Sequence, residues 1–327
     1  MKLRRGATDL SGILLIDKPA GPTSHDVVAK VRRLTGEKRV GHAGTLDPMA
    51  TGLLVVLVGP ATRLTPYLTA ASKTYIARIT FGAATDTDDA MGNVTRTCEV
   101  PASVGDPKFA VRAVAKLVGT HSQVPPAFSA LKRDGVTAHR AAREGAPLEM
   151  APREIVIERA RLVSVDANEN SWVAELGVSK GTYIRAIARD LGESLGCAAH
   201  LSGLRRTGSG GLGLTQALTL EELETVVSDE EGIEARFIDP VSALGLPCVL
   251  VDDESAAAVT AGRTIAAGRL KPHPDAEELP GAVRAAEHLG RVCVVHAGRL
   301  LALADHTATG MRPEVVFAGG VGGYHGD

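Results

Sequence analysis

The segment Gly41-His42-Ala43-Gly44-Thr45-Leu46-Asp47-Pro48 is the part of this sequence best suited to chemistry. Its one carboxylate, Asp47, stands between Leu46 and Pro48, and the loop runs on through Met49-Ala50-Thr51-Gly52 into the apolar stretch Leu53 to Val58. A carboxylate among apolar neighbours is costly unless it is hydrogen-bonded or paired, so the placement suits an acid kept for nucleophilic or proton-transfer work. The same spacing suits an Asp that caps a turn, and spacing alone does not choose between them. Other chemistries find less support. Gly208-Ser209-Gly210-Gly211-Leu212-Gly213 satisfies G-x-G-x-x-G but lacks the strand-to-helix setting and the distant acid of a dinucleotide site. Asp86-Thr87-Asp88-Asp89-Ala90-Met91-Gly92 resembles a calcium loop, but its glycine comes one place late and Thr97 stands where the bidentate Glu belongs. Walker A, G-x-S-x-G and H-E-x-x-H patterns do not occur. Neither the His residues nor Cys98, Cys197, Cys248 and Cys293 have metal-ligand spacing, and the four cysteines form no C-x-x-C pair, so no metal site or disulfide framework is expected.

The elements that must hold the Asp47 loop follow from periodicity. Gly12 to Ile16 reads as a strand that ends at Lys18-Pro19-Ala20-Gly21-Pro22, and Ser24 is the expected cap of a helix with Val27, Val28, Val31 and Leu34 on one face, stopped by Gly36. Residues 73–81 alternate, with Tyr75, Ala77, Ile79 and Phe81 on one face of a strand. An acidic turn follows at 86–93, and residues 101–150, helical and Pro-rich by turns, read as an insertion. A strand pair near 153–165 and 171–178 leads to Lys180-Gly181-Thr182-Tyr183-Ile184-Arg185, where a helix starts with Ile184, Ile187, Ala188, Leu191 and Leu195 inward, ended by Gly196. Thr219-x-x-Glu222 is a capping box. From Leu246 on, short Val and Leu runs such as Val292 to Val295 and Leu300 to Leu303, split by Ala297-Gly298, predict a small all-β domain with 271–290 as a surface loop.

At 327 residues the chain predicts a large domain and a small one. An apolar fraction of 44% against 23% charge is that of a globular protein and excludes a disordered one. No apolar run reaches the roughly 18 residues that cross a bilayer, and MKLRRGATDLSG has no secretory core, so the expectation is cytoplasmic. The net charge of −2 does not by itself suggest a nucleic-acid partner. Basic residues nonetheless cluster at Arg32-Arg33, Lys38-Arg39, Lys132-Arg133, His139-Arg140-Arg143 and Arg205-Arg206.

Four segments taken in order, Lys18-Pro19, Gly41 to Leu54, Lys73-Thr74-Tyr75 and Lys180 to Arg185, resemble the bacterial TruB family of tRNA pseudouridine synthases. The resemblance runs from about residue 10 to 210 and includes Gln123-Val124-Pro125-Pro126-x-x-Ser129-Ala130-x-Lys132. It implies an α+β pseudouridine synthase fold, a curved and mainly antiparallel sheet with flanking helices and an RNA-binding insertion at about 101–150. The catalytic domain would span 1–243, and 244–327 would form a β-rich PUA-like RNA-binding domain.

By the same resemblance the enzyme isomerises the uridine at position 55 in the T loop of tRNAs. Asp47 is then the nucleophile, attacking at the ribose C1′ or at the base. Tyr75 would stack on the target base and move a proton, and Arg185 would pair with Asp47 and keep it ionised. His42 would pack in the T loop once the target is flipped out. Lys18 and Pro19 would support the pocket wall, Leu204 would line it, and Tyr183 and Lys132 fall in the matching RNA-binding segments. His139 is a departure, since many relatives of the family would place Tyr there. The resemblance implies the tRNA T stem-loop as partner, bound by shape and phosphate contacts, and no cofactor, metal or membrane. With no long exposed apolar seam, a monomer is expected. Two other readings are a tRNA-folding factor whose modification is secondary, and a synthase acting on another RNA.

Overall fold

The computed structural model describes residues 8–129, 131–133, 136–146, 148–228, 232–267 and 290–323. The chain folds into two compact units. One takes the chain up to Pro48, Gly52–Ala70 and the chain from Ser209; the other takes Met49–Thr51 and Ala71–Gly208.

The first unit starts with β1 (Gly12–Lys18), α1 (Ser24–Thr35), β2 (Val40–His42), β3 (Thr51–Val58) and α2 (Thr65–Ala70). β1 runs antiparallel to β3, with Gly12 opposite Val58 and Lys18 opposite Gly52, and β2 is also antiparallel to β3. Ile13–Ile16 and Leu53–Val58 are buried on both faces, which is why they read as unbroken apolar runs. The cap of α1 is Thr23, one residue before the expected Ser24. The Thr23 side chain accepts from the Asp26 amide and the Asp26 carboxylate accepts from the Thr23 amide. Gly36 ends the helix at φ 69° as expected.

The second unit contains β4 (Lys73–Phe81), β5 (Ala83–Thr85), β6 (Val94–Thr97), α3 (Pro107–Ala115), β7 (Gly119–Gln123), β8 (Lys132–Arg133), β9 (Val136–Thr137), α4 (Ala138–Arg143), β10 (Arg153–Asp166), β11 (Ser171–Val178), α5 (Ile184–Ser194) and β12 (Ala199–Ser209). Its sheet has the order β12-β4-β11-β10-β7, and the β4–β11, β11–β10 and β10–β7 pairs are antiparallel. Tyr75, Ala77, Ile79 and Phe81 are the buried face of β4. Fully buried Trp172 packs edge-on against Phe81 at 4.7 Å, and its indole N–H donates to Val104 O at 2.8 Å. The stretch read as an insertion therefore divides. Residues 101–123 are built in, because Val104, Ala110 and Val114 are buried and β7 is a strand of the sheet. The β8–β9 hairpin and α4 come after it.

The chain then returns to the first unit through β13 (Leu212–Gly213), α6 (Leu220–Ser228), α7 (Pro240–Leu244), β14 (Cys248–Leu250), α8 (Asp253–Thr260), β15 (Ile265–Ala266), β16 (Gly290–His296), β17 (Arg299–Thr307) and β18 (Gly310–Val321). A five-stranded sheet runs β14-β16-β17-β18-β15. The last part is not all β. Asp252 caps α8 by accepting from the Ser255 amide, and Ala256-Ala257-Ala258 favours the helix that pattern reading had passed over. The expected surface loop at 271–290 lies outside the described residues up to 289, and Gly290 opens β16. The domain boundary expected at 243/244 does not coincide with a break in packing. Cys293, Leu300, Leu303 and Phe317 share one buried core with Leu15, Leu53 and Leu57.

Candidate active site

In the first unit the backbone around Asp47 is tied on both sides to the turn between β1 and α1. Ser24, displaced from the cap, is buried in the first turn of α1. Its hydroxyl accepts from the Leu46 amide at 2.8 Å and donates to the Leu46 carbonyl at 3.1 Å. On the other side the Pro48 carbonyl accepts from the Gly21 amide at 2.8 Å and from the Lys18 ammonium at 3.3 Å. Lys18 is wholly buried, and its ammonium also donates to Pro19 O at 2.9 Å and Pro22 O at 2.8 Å. Several carbonyl dipoles thus satisfy a buried cation, and they fix the loop in the process. Gly44 supplies the left-handed backbone that the turn needs, at φ 99°. Between these ties Asp47 is half-buried. His42 ends β2 and meets His25 edge-on at 5.5 Å, and Pro19 is exposed.

In the second unit Tyr75 is buried on β4, next to the strand that carries half-buried Leu204. The Leu204 carbonyl accepts from Thr51 Oγ1 at 3.4 Å. Tyr183 stands at the start of α5. The Gln123 side chain accepts from its amide at 2.9 Å and donates to its carbonyl at 3.1 Å, while Arg153 stacks over its ring at 4.7 Å. Arg185 is buried in the first turn of α5 and donates to Thr87 O at 2.8 Å and Phe128 O at 2.9 Å. Lys132 opens β8 opposite Thr137, and the His139 amide donates to Ser129 O at 3.0 Å.

The acidic turn at 86–93, weighed from the sequence only as a calcium loop, is where Arg185 and Arg189 find their carboxylates. Asp89 is buried, with Oδ2 3.6 Å from Arg185 Nε, while its Oδ1 accepts from Thr87 Oγ1 at 2.7 Å and from the Met91 amide at 2.9 Å. Asp88 takes Arg189 at 2.9 Å and sits at φ 60°, a region that Asp tolerates better than most residues. Burial pushes the Asp88 carboxyl above its ordinary range, against the pull of Arg189 and Arg185. The signal in the sequence was the Asp86-Thr87-Asp88-Asp89 cluster itself. Lys73, buried at the head of β4, is lowered to about 8 by burial and then by repulsion from Arg206 and Lys180.

Residues 32–184 match the TruB family pseudouridylate synthase (N terminal domain), and residues 185–244 match the tRNA pseudouridylate synthase B C-terminal domain. The tRNA pseudouridine synthase B of Paenarthrobacter aurescens (strain TC1) is 42% identical over 318 residues, covering 95% of this chain and 96% of that protein. The chain belongs to the TruB family. The same-named protein of Thermobifida fusca (strain YX) is also 42% identical, over 94% of this chain and 99% of its own length. A chain from the crystal structure of a Cbf5-Nop10-Gar1 complex is 26% identical with a TM-score of 0.67, covering 96% of this chain and 86% of that one. As a TruB-family protein the chain is a pseudouridine synthase, an isomerase, with the mixed helix-and-sheet fold expected. Among the described residues no helix is long and apolar enough to cross a membrane, and no group of His, Cys, Asp and Glu is placed to hold a metal.

Proposed function

We propose that this TruB-family enzyme converts uridine 55 in the T loop of tRNAs to pseudouridine, with Asp47 as nucleophile. The observation that carries the reading is the pair of ties on either side of Asp47, from Ser24 to Leu46 and from Lys18 and Gly21 to Pro48. They fix the backbone that carries the Asp47 carboxylate before substrate arrives, and positioning of this kind lowers a barrier without a cofactor. The names of the relatives matched along nearly the whole chain support tRNA as the substrate. Attack by Asp47 at C1′ or at the base lets the glycosidic bond break, the uracil turn, and C5 join C1′. Tyr75 and Arg185 complete the catalytic set, Tyr75 against the target base and Arg185 as the cation that keeps Asp47 ionised.

A stacked uridine is out of reach of any carboxylate, so the target is flipped out, with His42 packing in the opened loop, Lys18 and Pro19 supporting the pocket wall and Leu204 lining it. Tyr183, Lys132 and the basic residues around α4 contact the T stem-loop, and the C-terminal sheet acts as a PUA-like RNA-binding module. The enzyme works as a monomer in the cytoplasm.

The test is tritium release from a tRNA transcript labelled at uridine C5. The expected result is release by the intact chain, none by Asp47→Asn, and none when position 55 is cytidine. Binding without release by the intact chain would overturn the isomerase reading in favour of a folding factor, and release that survives Asp47→Asn would remove Asp47 from the mechanism.

A further inference from the structure

Cys98 and Cys197 are 99 positions apart in sequence, yet their sulfurs lie 2.9 Å from each other in the second unit. We propose that this pair is a reversible oxidation site, closed to a disulfide by peroxide or by a small-molecule disulfide. The elements around both residues hold the sulfurs together. Cys98 follows β6, and its amide donates to Gly82 O at 2.9 Å. Cys197 lies between α5 and β12, its amide donates to Gly192 O at 2.9 Å, and the next amide, of Ala198, donates to Cys98 Sγ at 2.9 Å. The Cys197 segment has little room to shift. A Cβ on Gly192 would fall 2.9 Å from the Cys197 carbonyl and 2.5 Å from Ala199 Cβ, so α5 is packed hard against it. A disulfide needs an S–S distance of about 2.05 Å, so the sulfurs must move by less than an ångström.

The two thiols have unequal roles. Cys98 is partly exposed and meets the oxidant, whereas Cys197 is buried. Burial and the contact with Cys98 push the Cys197 thiol up to about 11, so it persists as a thiol until its partner is activated. With peroxide, Cys98 sulfur takes one oxygen to become a sulfenic acid and one water leaves. Cys197 sulfur then attacks Cys98 sulfur, its proton leaves with the hydroxyl as a second water, and the S–S bond forms. With a small disulfide, Cys98 forms the mixed disulfide and expels one thiol. Cys197 then expels the second, so two protein thiols are oxidised and one reagent disulfide is reduced.

The bridge would tie the base of the β5–β6 hairpin to the end of α5. That hairpin carries Asp88 and Asp89, whose partners Arg189 and Arg185 lie on the same helix. Closing it would suppress local opening of the hairpin.

The experiment treats the full chain with hydrogen peroxide or glutathione disulfide, blocks remaining thiols, and maps tryptic peptides without reductant. The expected product is residues 97–108 joined to 190–205, two hydrogens lighter than the sum, lost on adding dithiothreitol and absent in Cys98→Ser. Hydrogen exchange of the 83–97 amides should slow by about tenfold or more on oxidation, and should not change in Cys98→Ser treated alike. A stable adduct or over-oxidised acid on Cys98 with Cys197 still blockable as a thiol would overturn the site. A bridge that leaves hairpin exchange unchanged would overturn its action on the hairpin. Cys248→Ser, in the other unit, should leave the cross-link intact.

Discussion

Removing the Arg185 guanidinium should strand a buried acid, and the structure sets the size of the loss. In Arg185→Met the aliphatic stem is largely kept, while Asp89 Oδ2 loses its cation and the carbonyls of Thr87 and Phe128 lose a charged donor. Both Arg185 and Asp89 are only 5% exposed, so water does little to screen or replace the interaction. Breaking one side of such a buried pair costs about 3–5 kcal/mol. Asp89→Asn should cost less, about 2 kcal/mol, because its Oδ1 can still accept from Thr87 and Met91 and the guanidinium keeps its two carbonyls. The double variant removes both charges of the Arg185–Asp89 pair, so its loss should fall short of the sum of the singles by about 1.5 kcal/mol or more. Urea unfolding followed by the fluorescence of Trp172, the single tryptophan and a core residue of the same unit, measures all three. Losses that add to within about 0.5 kcal/mol would refute the coupling.

Other perturbations test the two units separately. Lys18→Met removes the ammonium shared by Pro19, Pro22 and Pro48, and should cost about 2–4 kcal/mol while lowering tritium release more than tRNA binding, since it loosens the tie beside Asp47; equal losses in rate and binding would point to general unfolding. Gly192→Ala should destabilise by about 1–3 kcal/mol despite alanine's better helix propensity, because its Cβ would meet Ala199 and Cys197 backbone, as denaturant midpoints will show. Lys73 has a folded value near 8 against an ordinary 10.5, so between those pH values the unfolded chain binds more protons and this group's contribution to stability rises with pH. The slope is at most about 1.4 kcal/mol per pH unit, and Lys73→Met should flatten it; a wild-type slope of the opposite sign that Lys73→Met abolishes would refute the burial argument.

Much of the local structure was legible because it depends on neighbours in sequence. The alternation of Tyr75, Ala77, Ile79 and Phe81 gave β4, and the matched bounds of β11 and the start of α5 came from apolar period and from the turn at Lys180-Gly181. The misreadings were also local competitions. Thr23 outcompeted Ser24 as a cap because Asp26 completes a capping box with it, which released Ser24 to bind the Leu46 backbone. The alanine-rich stretch after Asp252 formed a helix in a region read as strand because propensity and a cap prevailed over short Val runs.

Sequence by itself therefore determined the candidate nucleophile, the strands and helices around it and the family, since residue type, period and motif order are all written along one dimension. Only the tertiary structure decided what satisfies the buried charges and which sulfurs meet. Lys18 is answered by carbonyls up to 30 positions away, Arg185 by the acidic turn after β5, and Cys98 by a cysteine 99 positions on. Those partners are chosen by how strands are ordered and helices packed. A buried charge or thiol pairs with whatever the topology brings within reach, and no spacing rule along the chain encodes that choice.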